Sequence, residues 1–181
     1  MKALIVIDYT NDFVADTGKL TCGKPGQAID SFIAAKMKEF IANGDSVFIA
    51  NDLHFEEDTY HPEHALFPPH NIFGTDGRKL FGQVGVMYEH LKNAKHIYTF
   101  DKTRYSAFVG TPLHTMLQER SIKDITLVGV CTDICVLHTA VDSYNLGYTV
   151  TIFEKGVASF NEQGHHWALS HFKNTLGALV Q

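Results

Sequence analysis

Residues 3–7, Ala-Leu-Ile-Val-Ile, are aliphatic without a break and run directly into Asp8. A strand with one wet face alternates apolar and polar side chains. A strand with no polar residue has both faces covered, as in a parallel sheet held between layers of helix. Further runs read the same way at 46–51, 96–100, 125–130 and 149–153, with a last edge strand around 178–180. Between them the apolar spacing becomes helical. In residues 26–43 it is carried by Ile29, Phe32, Ile33, Met37, Phe40 and Ile41, with Pro25 suited to the first turn and Gly44 to the C-terminal cap. Shorter helices are expected at 84–91, at 111–120 with Thr111 as cap and Pro112 in first position, at 133–145 closed by Gly147, and at 161–172. This alternation implies an α/β fold with a mainly parallel sheet and right-handed crossovers. At this length the expectation is a single domain over residues 1–181.

Parallel sheets bind ligands beyond the carboxyl ends of their strands. Asp8 ends the first strand, Asp52 the second, Lys102 follows the third, and Cys135 lies just after the fourth. Four chemically capable residues therefore share one rim. The stretch 52–82 adds many His, Pro, Gly and acidic residues, and a loop this long inside a compact fold is usually functional.

Composition removes several classes of function. A net charge of −5, with Lys and Arg scattered along the chain, offers no basic face for nucleic acid. No apolar run approaches the ~18 residues that a bilayer span requires. The N-terminal apolar run is short, ends on an acid and lacks a small-residue cleavage site, so a cytoplasmic protein is expected. The three cysteines, Cys22, Cys131 and Cys135, are too few and odd in number for a disulfide framework.

Cys135 sits at a strand-to-helix turn in Gly129-Val130-Cys131-Thr132-Asp133-Ile134-Cys135. Taken alone, a cysteine there is more often a small buried hydrophobe. The shared rim changes the reading. A helix N-terminus and the Lys102 ammonium would both favour thiolate. Asp8 could accept the thiol proton and deliver it to a leaving amine. Backbone N–H groups of Cys131 and Cys135 would form an oxyanion hole. The Cys131–Cys135 spacing is not the redox C-x-x-C, so Cys131 is read as a wall residue with a usable backbone.

A second constellation comprises Asp52 and His54 at the end of a strand, then Glu63, then His70 behind Pro68 and Pro69. Carboxylate and imidazole donors from one loop suit a divalent metal such as zinc, manganese or iron. The competing reading is a solvated polar loop, although two prolines stiffen the approach to His70. Phe13, Phe67 and Tyr105 fall near the same rim and would wall a flat aromatic amide.

These motifs resemble those of the nicotinamidase/pyrazinamidase family within the isochorismatase-like cysteine hydrolases. The resemblance covers nearly the full length. Its carriers are Ile7 to Phe13, Asp52-Leu53-His54, Phe67-Pro68-Pro69-His70, Lys102 to Phe108, and Gly129 to Val136. It implies a six-stranded, mainly parallel sheet with helices on both faces, and a triad of Asp8, Lys102 and Cys135 working through a thioester. It also implies a cis peptide between Val130 and Cys131 that aims the Cys131 N–H into the oxyanion hole. A single divalent metal, zinc first, would sit on Asp52, His54 and His70 and orient the pyridine nitrogen. The fourth ligand is open among His61, Glu63 and His64, and the His61-Pro62-Glu63 segment resembles relatives that use Glu63. The implied reaction converts nicotinamide to nicotinate and ammonia, with pyrazinamide as an alternative substrate, in pyridine nucleotide salvage. Two rivals stand beside it: an isochorismatase or carbamoyl amidase of the same superfamily, and a metal- or thiol-binding protein without turnover. The sequence leaves the oligomeric state open, a homo-oligomer included.

Overall fold

The computed structural model of the protein describes residues 1–181. In chain order the elements are β1 (Ala3–Ile7), α1 (Asn11–Val14), α2 (Gly23–Ala28), α3 (Asp30–Ala42), β2 (Ser46–Asp52), α4 (Gly82–Leu91), β3 (Ile97–Lys102), α5 (Leu113–Glu119), β4 (Asp124–Val130), α6 (Leu137–Asn145), β5 (Thr149–Ala158), α7 (Glu162–Asn174) and β6 (Leu179–Val180). Six strands form one sheet in the order β3-β2-β1-β4-β5-β6, and every pairing is parallel.

The unbroken aliphatic run has the consequence its composition requires. All five residues of β1 are fully buried, and they divide between two cores. Ala3, Ile5 and Ile7 face a layer built on α5, α6 and α7, through Leu113, Leu117, Ala140 and Phe172. Leu4 and Val6 face Ile33, Met37 and Phe40 of α3, with Val84 of α4. Each such side chain removed from water contributes roughly 1.5–3 kcal/mol. No helix is long and apolar enough to cross a membrane.

Three segments depart from the expected boundaries. The helix expected over 26–43 is two helices that break at Ile29. Gly23, at φ 61°, turns the chain earlier, and Pro25 falls in the first turn of α2, where its missing N–H costs nothing. Near the break, Tyr9 Oη donates to the Gly26 carbonyl at 2.6 Å and so competes for a helical acceptor. Strand β5 runs on to Ala158 instead of stopping near Phe153. Exposed Glu154 and Lys155 mask a second pairing segment, in which Val157 and Ala158 lie beside Gly129 and Val130 after a register shift. The helix expected from 133 begins as a π turn at Thr132–Val136 before α6.

The long 52–82 connection is held at both ends. Single bridges join His54 to Ile72 and Thr10 to Leu80, and 3-10 turns lie at Pro62–Ala65 and Asp76–Arg78. Asp12 fixes its middle by accepting the Asn71 N–H at 2.7 Å.

Candidate active site

After β1 the chain goes to β2 and β3 on one side, then crosses to β4 on the other. The switch point lies between β1 and β4, where a doubly wound sheet opens a crevice at its carboxyl edge. Asp8 leaves β1 in a left-handed conformation (φ 54°), sparsely populated for a side-chain-bearing residue. Gly129 of β4 passes so close to β1 that a Cβ there would stand 2.0 Å from the Ile7 carbonyl oxygen, and its φ of 118° admits only glycine comfortably. The two strand ends are thereby pressed together under the site.

Asp8, Lys102 and Cys135 meet in this crevice and all three are buried. Lys102 Nζ lies 2.7 Å from Asp8 Oδ2, 3.7 Å from Cys135 Sγ and 3.5 Å from Asp52 Oδ1, and it donates to the Arg104 carbonyl at 3.0 Å. Asp8 Oδ1 is fixed by the Asp52 N–H at 2.8 Å. Its Oδ2 is paired with the Lys102 ammonium, and the carboxylate also lies within hydrogen-bond reach of the Cys135 thiol whose proton it would take.

Burial and charge set the protonation states. Burial raises the Asp8 carboxyl, the Lys102 ammonium opposes it and Asp52 adds to it, for a net pKa of about 6. Burial works against the Lys102 charge, but Asp8, Cys135 and Asp52 together hold it well above the usual lysine value. The Cys135 thiol is pushed well up by burial, pulled down by Lys102, and pushed up again by Asp8 and Asp52. Burial, more than the two carboxylates, therefore works against the thiolate that Lys102 favours, and Asp8 stands where it can take the thiol proton.

The peptide between Val130 and Cys131 is cis, as the resemblance implies. The Cys131 N–H finds no backbone acceptor, and the π turn that follows, a widening common at functional sites, carries Cys135 on its first winding.

Beside this triad, Asp52, His54, Glu63 and His70 place one donor atom each within 4.8 Å of one another, all buried. His54 Nε2 is 2.6 Å from Asp52 Oδ2, while His70 Nε2 is 3.5 Å from Asp52 Oδ2 and 3.7 Å from Glu63 Oε2. His70 Nδ1 is engaged by the Pro68 carbonyl at 2.8 Å, which fixes the ring and turns Nε2 inward toward Asp52 and Glu63. Burial lowers the His70 pKa, yet the hydrogen bonds to Asp52 and Glu63 outweigh it and raise it to about 10. Asp52 is penalised by burial and nevertheless held far below the carboxylate range by Lys102, His54 and His70. Two buried carboxylates and two inward-facing imidazoles form a centre suited to a cation, and the donor set fits a divalent metal.

Of the three candidates for the fourth donor, Glu63 is the one in this cluster. His61 is also buried, but its Nε2 is engaged by the Thr103 carbonyl at 2.8 Å and its Nδ1 accepts the Glu63 N–H. His64 is exposed.

Phe13, Phe67 and Tyr105, expected as walls, line one narrow cavity with Glu63, Cys131 and Cys135. Leu20, Ile134 and Phe160 complete it and were not marked as walls by the sequence, since single apolar residues look like core. The cavity's free volume of about 20 Å³ has room for roughly one water, so a ring entering it must part these walls. A wider groove of about 770 Å³ runs along the β3 edge past Arg78, Glu89 and Asp101, and it contains no cysteine and none of the triad or donor-cluster residues.

A family model described as the isochorismatase domain matches residues 2–181. An uncharacterized isochorismatase family protein of Bacillus subtilis, PncA, is 58% identical over 99% of this chain and 98% of its own length. A crystal structure of pyrazinamidase/nicotinamidase from Streptococcus mutans superposes with a TM-score of 0.97 at 51% identity over 100% of both chains. That of nicotinamidase/pyrazinamidase PncA from Bacillus subtilis gives 0.97 at 56% identity over 99% of both.

Proposed function

The chain belongs to the isochorismatase family, and within it we propose that it is a nicotinamidase, hydrolysing nicotinamide to nicotinate and ammonia. One observation carries this reading. Cys135 of the Asp8–Lys102–Cys135 triad and Glu63 of the four-donor cluster line the same aromatic-walled cavity, and Asp52 links the two groups, its Oδ1 3.5 Å from Lys102 Nζ. Relatives near half-identity that are named nicotinamidase/pyrazinamidase support it.

The chemistry follows from the protonation states. The Cys135 thiol passes its proton to Asp8 Oδ2 as sulfur attacks the carboxamide carbon. Lys102 stabilises the sulfur charge from 3.7 Å. The oxyanion that forms on the carbonyl oxygen is received by the Cys131 and Cys135 N–H groups. Asp8 then protonates the amide nitrogen, the C–N bond breaks, and ammonia leaves a thioester on Cys135. A water gives its proton to Asp8 and its oxygen to the thioester carbon, and the C–S bond breaks to release the acid. The proton returns from Asp8 to sulfur, and the cycle closes.

Asp52, His54, Glu63 and His70 would hold one divalent ion, zinc by preference with manganese or iron compatible, supplying a Lewis-acid anchor for the pyridine nitrogen. Phe13, Phe67 and Tyr105 would hold the ring faces. An isochorismatase or carbamoyl amidase would use the same fold but has no need of a cluster that anchors a ring nitrogen. Ammonia release from nicotinamide by the pure protein tests the reading. No release with metal supplied would overturn it.

A further inference from the structure

We infer that Cys22 and Cys131 are an oxidisable dithiol, a modification site that closes to an intramolecular disulfide beside the nucleophile. Their sulfurs stand 3.1 Å apart although 109 positions separate them in the chain. Both are free and buried, at 4% and 6% exposure. A disulfide bond is about 2.05 Å long, so the side chains already point at one another and need roughly 1 Å of approach. Neither thiol has a part in the hydrolysis, which uses only the Cys131 backbone.

Two buried thiols in contact can be mere packing, a weak S–H···S contact in an apolar core. The distinguishing feature is access. Cys131 lines the substrate cavity, so a path built for a small polar molecule also leads to its sulfur. Hydrogen peroxide is small enough to follow it. One thiol attacks a peroxide oxygen, the O–O bond breaks, and a sulfenic acid and one water result. The partner thiol attacks that sulfur, the S–O bond breaks, and a second water leaves as the S–S bond forms. Two thiols are oxidised by two electrons and one peroxide is reduced. The Cys131 thiol is held well up by its contact with Cys22 and by burial, so the site answers to sustained peroxide.

The cross-link would tie the turn before α2 to the end of β4. Cys22 is already anchored there by its N–H to the Phe13 carbonyl at 2.8 Å, so a cavity wall and an oxyanion donor would become one covalent unit. Closing a loop of this size also restricts the unfolded chain.

The test treats the native protein with hydrogen peroxide, denatures it, alkylates with iodoacetamide and maps the peptides. The expected product is a monomer with Cys22 joined to Cys131, from which dithiothreitol recovers all three thiols. Its melting temperature should rise by roughly 5 °C or more, a rise that Cys22→Ala abolishes. Cys22 and Cys131 both remaining alkylatable after peroxide would overturn the inference, as would a Cys131–Cys135 link or an intermolecular one. An equal melting shift in Cys22→Ala would do the same.

Discussion

Asp8 Oδ2 and Lys102 Nζ lie 2.7 Å apart with both side chains withdrawn from solvent, at the ends of β1 and β3, two strands that are not neighbours in the sheet. The pair spans β2 and meets Cys135 from across the crevice. It fixes where a proton can rest. The carboxyl is raised to about 6 while the ammonium is held charged and burial pushes the thiol up, so near neutral pH Asp8 is placed to take the thiol's proton.

That arrangement sets the acid limb of the pH profile. Asp8 acts as base only when ionised, and its raised pKa means ionisation is complete only above pH 6. We expect kcat/KM to fall about tenfold per pH unit below pH 6 and to level above it. An unshifted carboxylate, near 3.8, would hold activity two units further into acid. A profile flat from pH 7 to pH 4.5 would exclude Asp8 as the base.

Substitution of Asp8 and of Lys102 should separate turnover from sulfur reactivity. Asp8 raises the Cys135 pKa and Lys102 lowers it. Asp8→Asn is expected to lose turnover by about 10²–10⁴ while the thiol alkylates faster at neutral pH. Lys102→Met should slow both. It should also lower stability by about 3–5 kcal/mol, since it strands a buried carboxylate. Iodoacetamide rates beside ammonia assays decide this. Equal alkylation in all three proteins would remove the electrostatic role of the pair.

Cys135→Ala should remove turnover with the fold and the donor cluster intact, because it trims a single sulfur from the core and takes no donor from the cluster. Cys131→Ala should be milder, since only its backbone is asked to act. Circular dichroism and bound-metal content, measured beside activity, check both. Substantial turnover in Cys135→Ala would end the thioester mechanism.

Much of this site was legible along the chain. Apolar runs located the strands, and the rule that ligands sit at their carboxyl ends gathered Asp8, Asp52, Lys102 and Cys135 before any coordinates. What was hidden depends on distance. The Cys22 contact joins a turn to a strand end 109 positions away, and no local pattern marks it. Leu20 and Phe160 became walls through the path of their loops, and Ile134 through the π turn that carries it. The balance at the Cys135 sulfur is equally hidden, because burial, two carboxylates and one ammonium act through depth and separation that the residue identities alone do not carry.

Gly129→Ala probes the pressed strand ends. The added methyl would meet the Ile7 backbone, which cannot move without shifting Asp8, and φ 118° strains any side chain. A loss of about 2–5 kcal/mol is expected, near 5–15 °C in melting temperature. A change within 1 °C would show that the two strands can part freely.

The donor cluster yields the last prediction. His70, held by Pro68 behind and facing two carboxylates in front, gives the cluster a charge partner of its own, so the protein should fold without metal. Without metal the cluster offers no electrophile to the ring nitrogen. Chelation should therefore abolish hydrolysis reversibly while the protein stays folded at assay temperature. Benzamide, which has no ring nitrogen, should be a far poorer substrate than nicotinamide. Glu63→Gln and His54→Ala should weaken metal retention markedly, whereas His64→Ala, at an exposed position outside the cluster, should not. Metal content by elemental analysis, read beside ammonia release, checks each arm. Full activity in metal-free protein, or equal rates on benzamide and nicotinamide, would show that the cluster takes no part in holding the substrate.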